Sequence, residues 1–251
     1  MKANIFLIRC LSNMHVGNGE VNYSLVDNEV EKDVVLEGTP VINASGVKGA
    51  LREHFEQKWG KDDERIIRIF GGEKRQGQYK FLQATTLFRP LRVSDGKESF
   101  IEATTPELLN HFTGTACALG AKVPTFSTEI GICGQNVLEV EGKREKAINA
   151  DSQIGELLKK AFSSEASLAY YVTHSLEEYP LPVLARNVLD DGGISKNLWY
   201  EEVVPHETIL WTAILTPEEM DVEFLSALKN DVLQFGGSAS VGYGLTKMVD
   251  Y

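Results

Sequence analysis

The chain has 251 residues, 43% hydrophobic and 24% charged, with a formal net charge of −11. This composition excludes a mainly disordered chain or a disulfide-stapled miniprotein, and the length allows one elaborated domain or two small ones. The acidic total argues against nonspecific binding to nucleic acid or membrane surfaces. The longest early apolar run, Ile5–Ile8, is too short for a signal-peptide core or a membrane span, so a cytoplasmic protein is expected. Cys10, Cys117 and Cys133 form no C-x-x-C pattern and are read as buried thiols, not as a disulfide framework or zinc site.

In chain order, Ala3–Leu11 predicts a strand, and residues 12–40 form a polar excursion carrying Asp27, Glu29, Glu31 and Asp33. Ser45 is the expected N-cap of a helix in which Val47, Ala50, Leu51, His54 and Phe55 recur at helical spacing until Gly60. A second amphipathic turn over Asp62–Phe70 stops at Gly71-Gly72. Residues 84–93 and 98–104 flank Ser94-Asp95-Gly96 as a hairpin. Thr104 or Thr105 starts a helix with Pro106 and Glu107 in its first turn, and another helix is expected at Ser152–Phe162. Thr208–Leu215 reads as a strand. Thr216 then caps a helix with Pro217 first and Glu219 completing a capping box, running to about Phe235 before a last strand at Leu245–Val249. These elements fit one domain of the α+β class, a ferredoxin-like sandwich. Its core would span about 1–11, 41–104 and 207–251, with insertions at about 12–40 and 105–206.

Net charge conceals its distribution: from Lys48 to Arg92 there are eleven basic residues and six acidic ones. Lys48 in the first turn of the expected helix, with Arg52 four residues on, opposes both the macrodipole and its like-charged neighbour. An anion docked at that helix start would turn both costs into attractions, whereas a solvated face tempered by Glu56 is the plain alternative. Ser45-Gly46-Val47-Lys48 also fits the S-x-x-K pattern of serine acylases, but the companion S-D-N and K-T-G motifs are missing. Gly236, Gly237, Gly242 and Gly244, with Ser238 among them, exceed what one turn requires and would allow close approach of a phosphate backbone. His15 follows the first strand, where a ligand-facing loop emerges. The acidic excursion suits a solvated loop or a loose divalent-metal site.

Taken in order, His15-Val16-Gly17-Asn18-Gly19, Val26-Asp27, the run from Thr39 through Ser45 and Lys48 to Arg52, and Gly236-Gly237-Ser238 to Gly242-Tyr243-Gly244 resemble the RAMP superfamily of CRISPR proteins. The glycine-rich loop near the C-terminus is that family's hallmark. Phe88-Arg89-Pro90-Leu91-Arg92-Val93 with Thr105-Pro106, and Leu198-Trp199-Tyr200-Glu201-Glu202, are similar to the backbone subunit of the type III-B Cmr complex.

The resemblance implies an RNA-recognition-type ferredoxin fold with a protruding thumb, expected within 180–206. It implies copies stacked along a guide crRNA beside other Cmr complex subunits, each copy cleaving the paired target RNA at a regular interval, with no membrane partner. The guide would be held by His15, Ser45, Lys48, Arg52, Gly236, Gly237, Ser238, Gly242 and Gly244, with Arg186 on the thumb. The family's catalytic aspartate falls on Asp27, where it would position a divalent ion such as Mg2+ or accept the 2′-hydroxyl proton, giving 2′,3′-cyclic phosphate and 5′-hydroxyl ends. The family commonly places proline two residues after this aspartate and an arginine soon after; this chain has Glu29 and Lys32. A non-cleaving RNA-binding subunit and a metal-independent guide-processing RAMP endonuclease are the alternatives.

Overall fold

A computed structural model describes residues 1–19, 25–95, 98–134, 139–164, 168–219 and 221–251. The elements used below are, in chain order, β1 Lys2–Cys10, β2 Thr39–Ile42, α1 Ala44–Trp59, α2 Glu64–Phe70, β3 Ala84–Asp95, β4 Phe100–Thr104, α3 Pro106–Ala118, β5 Gly131–Cys133, α4 Ser152–Phe162, β6 Tyr170–Val172, β7 Val183–Leu189, β8 Ser195–Glu202, β9 Ile209–Thr216, α5 Val222–Asn230, β10 Leu233–Gln234 and β11 Leu245–Asp250. The main sheet has the order β10-β11-β1-β9-β3-β4-β6-β5. Its centre is antiparallel: β1 pairs β9 from Lys2↔Thr216 to Arg9↔Ile209 and β11 from Phe6↔Asp250 to Cys10↔Thr246, while β9 pairs β3 through Ile209↔Phe88. β2 lies on the outer side of β3 through Val41↔Thr85. The chain is therefore α+β with one large mixed sheet.

The period-2 alternation of β1 sends Phe6, Ile8 and Cys10 to one face and Ile5 and Leu7 to the other. On the first face they pack with Val47, Leu51 and Phe55 of α1, Ile66 and Ile69 of α2, and Phe224 and Leu228 of α5. On the second they meet Leu109 and Phe112 of α3 and Ile154, Leu157 and Leu158 of α4. Each large apolar side chain so buried stabilises the fold by about 1.5–3 kcal/mol relative to exposure. The sheet is thus covered on both faces, and neither is left flat and open. No helix among the described residues is long and apolar enough to cross a membrane.

Several boundaries differ from the sequence reading. Helix α1 starts at Ala44 after Asn43, so Ser45 is not its N-cap; it lies exposed inside the first turn, and no side chain caps that end. The reason is upstream: β2 pairs with β3 up to Ile42, which fixes where the chain can turn into the helix. Thr216 is the last residue of β9, held by Lys2↔Thr216, so the capping box there does not form. Asp221 caps α5 instead, its side chain accepting the Phe224 N–H at 3.0 Å, and the helix stops at Asn230 well before Phe235. Of the three cysteines only Cys10 is fully buried, where burial raises its thiol to about 12; Cys117 is exposed and Cys133 half-buried. Of the two residues offered for the next helix start, Thr105 is the cap of α3, and the helix Ser152–Phe162 falls where the pattern put it, with Asp151 as its cap. Gly96 of the β3–β4 turn lies outside the described residues.

Candidate nucleic-acid interface

The glycine loop and the segment after β1 are built as one unit. Gly237 N–H donates to the His15 carbonyl at 2.9 Å, Gly244 N–H to the Asn13 carbonyl at 2.8 Å, and Phe235 N–H to the Gly244 carbonyl at 2.9 Å. Two of the glycines are obligatory. Gly236 has φ +80°, and a Cβ there would sit 2.3 Å from the His15 oxygen; Gly244 has φ +72°, and its Cβ would sit 1.9 Å from the Phe235 oxygen. Between them Ser238 adopts φ 59° and residues 239–241 form an exposed 3-10 turn, presenting backbone to solvent.

The start of α1 lies along the same edge. Glu31 N–H donates to the Val16 carbonyl and Val41 N–H to the Glu31 carbonyl, so three strand-like steps lead from Gly237 through His15–Val16 and Glu31 to Val41, roughly 14 Å at about 4.8 Å per step. The loop's approach is pinned against α1 by Asp231, which accepts from His54 Nε2 at 2.9 Å and Lys58 Nζ at 2.6 Å. Burial alone would raise the Asp231 carboxyl, but these two partners hold it below the ordinary range. The first turn of α1 has free N–H groups, no side-chain cap and no acidic residue, and Lys48 is exposed, with no ion pair among the described residues. Arg52 is different: its Nε donates to Glu56 Oε1 at 2.6 Å and its Nη1 to the Gly71 carbonyl at 3.3 Å, so its charge is largely balanced within the chain.

The thumb candidate is a free-standing two-stranded hairpin, β7–β8, with Arg186 opposite Trp199. The Arg186 guanidinium lies 4.9 Å from the ring centre of Tyr243 in the glycine loop, and its Nε is 3.8 Å from Glu201 Oε2. Glu201 in turn has its other oxygen 4.0 Å from His15 Nε2. His15 is 9% exposed, and its Nδ1 donates to the Glu202 carbonyl at 2.8 Å; its ring holds the thumb base to the loop and is not turned to solvent. Asp27 is exposed and closes the other side: its N–H donates to the Tyr200 carbonyl at 3.0 Å and its Oδ2 accepts the Tyr200 N–H at 2.7 Å. Glu202 accepts from Val30 N–H and from Lys32 Nζ at 3.0 Å, tying the segment after Asp27 to the hairpin a second time.

Sequence reasoning missed Glu201, Glu202, Tyr243 and Trp199 as members of this cluster. The signal was the adjacent Glu201-Glu202 pair at the end of a strand, where one of the two must face inward. Asp27 offers Oδ1 to a cation, but no group of three His, Cys, Asp or Glu side chains able to hold a metal ion occurs among the described residues. The donor set fits only a well-hydrated ion drawing other ligands from a bound phosphate.

The family profile that describes the RAMP superfamily matches residues 7–247, nearly the whole chain. The chain belongs to the RAMP superfamily. Among RAMP proteins, the CRISPR system Cmr endoribonuclease Cmr4 of Pyrococcus furiosus is 27% identical, with 99% of this chain and 95% of that protein aligned. The cryo-EM structure of type III-B Cmr-beta bound to cognate target RNA contains a chain that superposes with TM-score 0.80 at 19% identity, covering 100% of this chain and 97% of that one. The crystal structure of oligomeric Cmr4 from Pyrococcus furiosus superposes with TM-score 0.73 at 22% identity, covering 100% and 99%.

Proposed function

We propose that this chain is a backbone subunit of a type III-B CRISPR effector complex, lining a guide crRNA in several copies beside other Cmr subunits and cutting the paired target RNA. The single observation that carries the reading is the convergence of the glycine loop, the thumb base and Asp27 on one end of the sheet, joined through His15, Glu201 and Arg186. In this reading β1, α1, β3, β9, α5 and β11 are the ferredoxin-like core, since the spatial order β11-β1-β9-β3 with two crossing helices is that of the β-α-β-β-α-β unit.

The guide's phosphates run over the exposed loop backbone and the uncapped start of α1, with Lys48 supplying charge and Ser45 a hydroxyl. Arg186 lies over Tyr243 and across the hairpin from Trp199, and the three would offer a stacking surface at the root of the thumb. The target is read by base pairing, not by the protein. A strand splayed at the thumb brings its 2′-hydroxyl in line with the adjacent phosphate. The 2′-oxygen bonds to phosphorus as the bond to the 5′-oxygen breaks; Asp27 accepts the 2′-hydroxyl proton, and water protonates the leaving oxygen. A hydrated Mg2+ bound near Asp27 would supply charge neutralisation at that phosphate.

One observation favours the non-cleaving alternative: Asp27 Oδ2 already accepts the Tyr200 N–H, a structural use of the same carboxylate. Two variants in the reconstituted complex separate the readings. Asp27→Asn keeps an oxygen for Tyr200 N–H but removes the charge, and Asp27→Ala removes both. Loss of target cutting in both, with guide and target still bound, supports cleavage through Asp27; continued cutting at every position by the Asp27→Ala complex overturns it. Cleavage of a precursor hairpin by the isolated chain without metal would instead favour guide processing.

A further inference from the structure

Arg89 is a cation buried without a counter-ion. It sits on β3 and is 4% exposed. Two of its five N–H donors are used, Nη2 donating to the carbonyls of Leu176 and Tyr179. The donors on Nη1 and Nε have no partner among the described residues, and Nε is sealed from solvent. The carboxylates that act on Arg89 from further off are engaged elsewhere: Glu141 lies 3.8 Å from Arg92, and Glu202 is 3.0 Å from Lys32. Burial pushes the Arg89 guanidinium from its ordinary 12.5 down to about 10, and those two carboxylates offset only part of the effect. A buried charge left unbalanced is costly, so its retention points to an anion supplied from outside the chain.

Arg89 lines a cavity of about 590 Å³ between the β3–β4 pair and the root of the β7–β8 hairpin. Pro90, Phe100, Tyr179, Pro182 and Pro205 supply apolar wall. Pro182 and Pro205 flank the two legs of the hairpin, where the Val203 N–H donates to the Pro182 carbonyl at 3.0 Å. The other arginine, lysine and glutamate side chains on the wall are matched: Lys143 lies 2.5 Å from Glu178, Arg9 2.6 Å from Glu207 and Arg92 3.8 Å from Glu141. Arg89 is left over. The cavity therefore offers an apolar wall and one unbalanced positive charge.

We propose that this cavity binds a carboxylic acid with an apolar body, its carboxylate meeting Arg89 and its body lying against Phe100 and the prolines. One unbalanced guanidinium matches one carboxylate through charge-assisted hydrogen bonds, and the walls take the apolar surface out of water. A phosphate monoester carries about −1.5 to −2 at neutral pH and would set its second charge against Glu141, Glu178 and Glu207. A phosphodiester within an RNA strand continues in both directions, whereas a guanidinium this buried is reached by a group that ends there. The acid is either a free small molecule or the C-terminal residue of a polypeptide, which present the same chemistry. The inference goes beyond the reading of the chain as an RNA-cutting subunit and does not depend on it.

NMR titration of the full chain tests it with two matched pairs of probes. One pair is phenylbutanoate and its amide; the other is a short uncharged peptide ending in phenylalanine, as the free acid and as the C-terminal amide. At least one acid should bind, about tenfold or more tighter than its amide, and move the backbone signals of Leu91, Phe100 and His206. Tighter binding of phenylbutanoate supports a small-molecule ligand, and tighter binding of the peptide acid supports a polypeptide terminus. Arg89→Met keeps the bulk and removes the charge, and should abolish the preference for the acid; Phe100→Ala should weaken the acid with the charge intact. Equal binding of acid and amide, binding of neither, or signals moving only elsewhere in the chain overturns the proposal. So does an Arg89→Met chain, folded by circular dichroism, that still prefers the acid. Displacement of the acid by equimolar inorganic phosphate or short single-stranded RNA also overturns it, since Arg89 would then serve phosphate. Should Arg89→Met not fold, the comparison of acid with amide on the wild-type chain decides.

Discussion

Gly244→Ala is the sharpest test of how the loop is built. A Cβ on Gly244 would lie 1.9 Å from the Phe235 oxygen and 3.0 Å from its carbonyl carbon. Relief to an ordinary contact requires a retreat of more than about 1 Å. That movement strains or breaks the bonds Gly244 makes to Asn13 at 2.8 Å and to Phe235 at 2.9 Å. Each contributes about 0.5–1.5 kcal/mol net, and holding alanine at φ +72° costs about 1–2 kcal/mol more, so about 2–5 kcal/mol is expected. Gly242→Ala is the control: its φ is +82°, but its Cβ would meet nothing within 4 Å, so only the conformational cost of about 1–2 kcal/mol applies. Urea unfolding of both variants, with guide-RNA binding measured in parallel, reads the difference. Equal destabilisation by the two substitutions would refute the claim that the loop is locked onto residues 13–15 through Gly244.

The two cations on α1 should separate in kind. Lys48→Ala should weaken RNA binding and reduce the salt slope by about one charge while leaving stability within about 0.5 kcal/mol, whereas Arg52→Ala, which loses its bonds to Glu56 and Gly71, should lower stability and move binding less. Thermal unfolding and salt-titrated binding of both variants check this. Glu102 is wholly buried, both its carboxylate oxygens lack a hydrogen-bond partner among the described residues, and burial raises its carboxyl well above the ordinary range. Above the usual carboxylate range and below that raised value, the folded chain keeps a proton that the unfolded chain has released, so stability falls as pH rises through the window. Glu102→Gln should flatten that fall and stabilise the fold by about 1–3 kcal/mol at neutral pH, measured by denaturant unfolding at pH 4.5 and pH 7.5. An unchanged pH profile would place the titration elsewhere.

Elements whose fate is decided locally were legible in the sequence. Thr105 with Pro106 specifies its own helix start, and α3 begins there, while the amphipathic run itself marks α4 over Ser152–Phe162. Thr216-Pro217-x-Glu219 carries an equally good local signal yet forms no helix start, because pairing with Lys2 across the sheet holds Thr216 in β9. Ser45 loses its cap role for the same reason, through β2 and β3. At the interface, residue types suited to anion binding could be named one at a time. The local i,i+4 spacing offered Glu56 to Arg52, and the structure takes that alternative; what the sequence withheld were the distant pairings, that His15 would turn inward to the Glu202 carbonyl and that Arg186 would reach Tyr243. Those two outcomes depend on contacts between distant parts of the chain, 187 residues apart for His15 and Glu202, that no local pattern encodes.

The covered sheet has a further implication for what kind of reader this molecule can be. Where a β-surface lies bare, its aromatic side chains can select particular nucleobases; here α3 and α4 wall that surface off behind Leu109, Phe112, Leu157 and Leu158. A polymer held at the loop end would be grasped by its sugar-phosphate rail, its letters turned outward and unread. Such a scaffold is indifferent to spelling, so one gene product could serve every message presented to it.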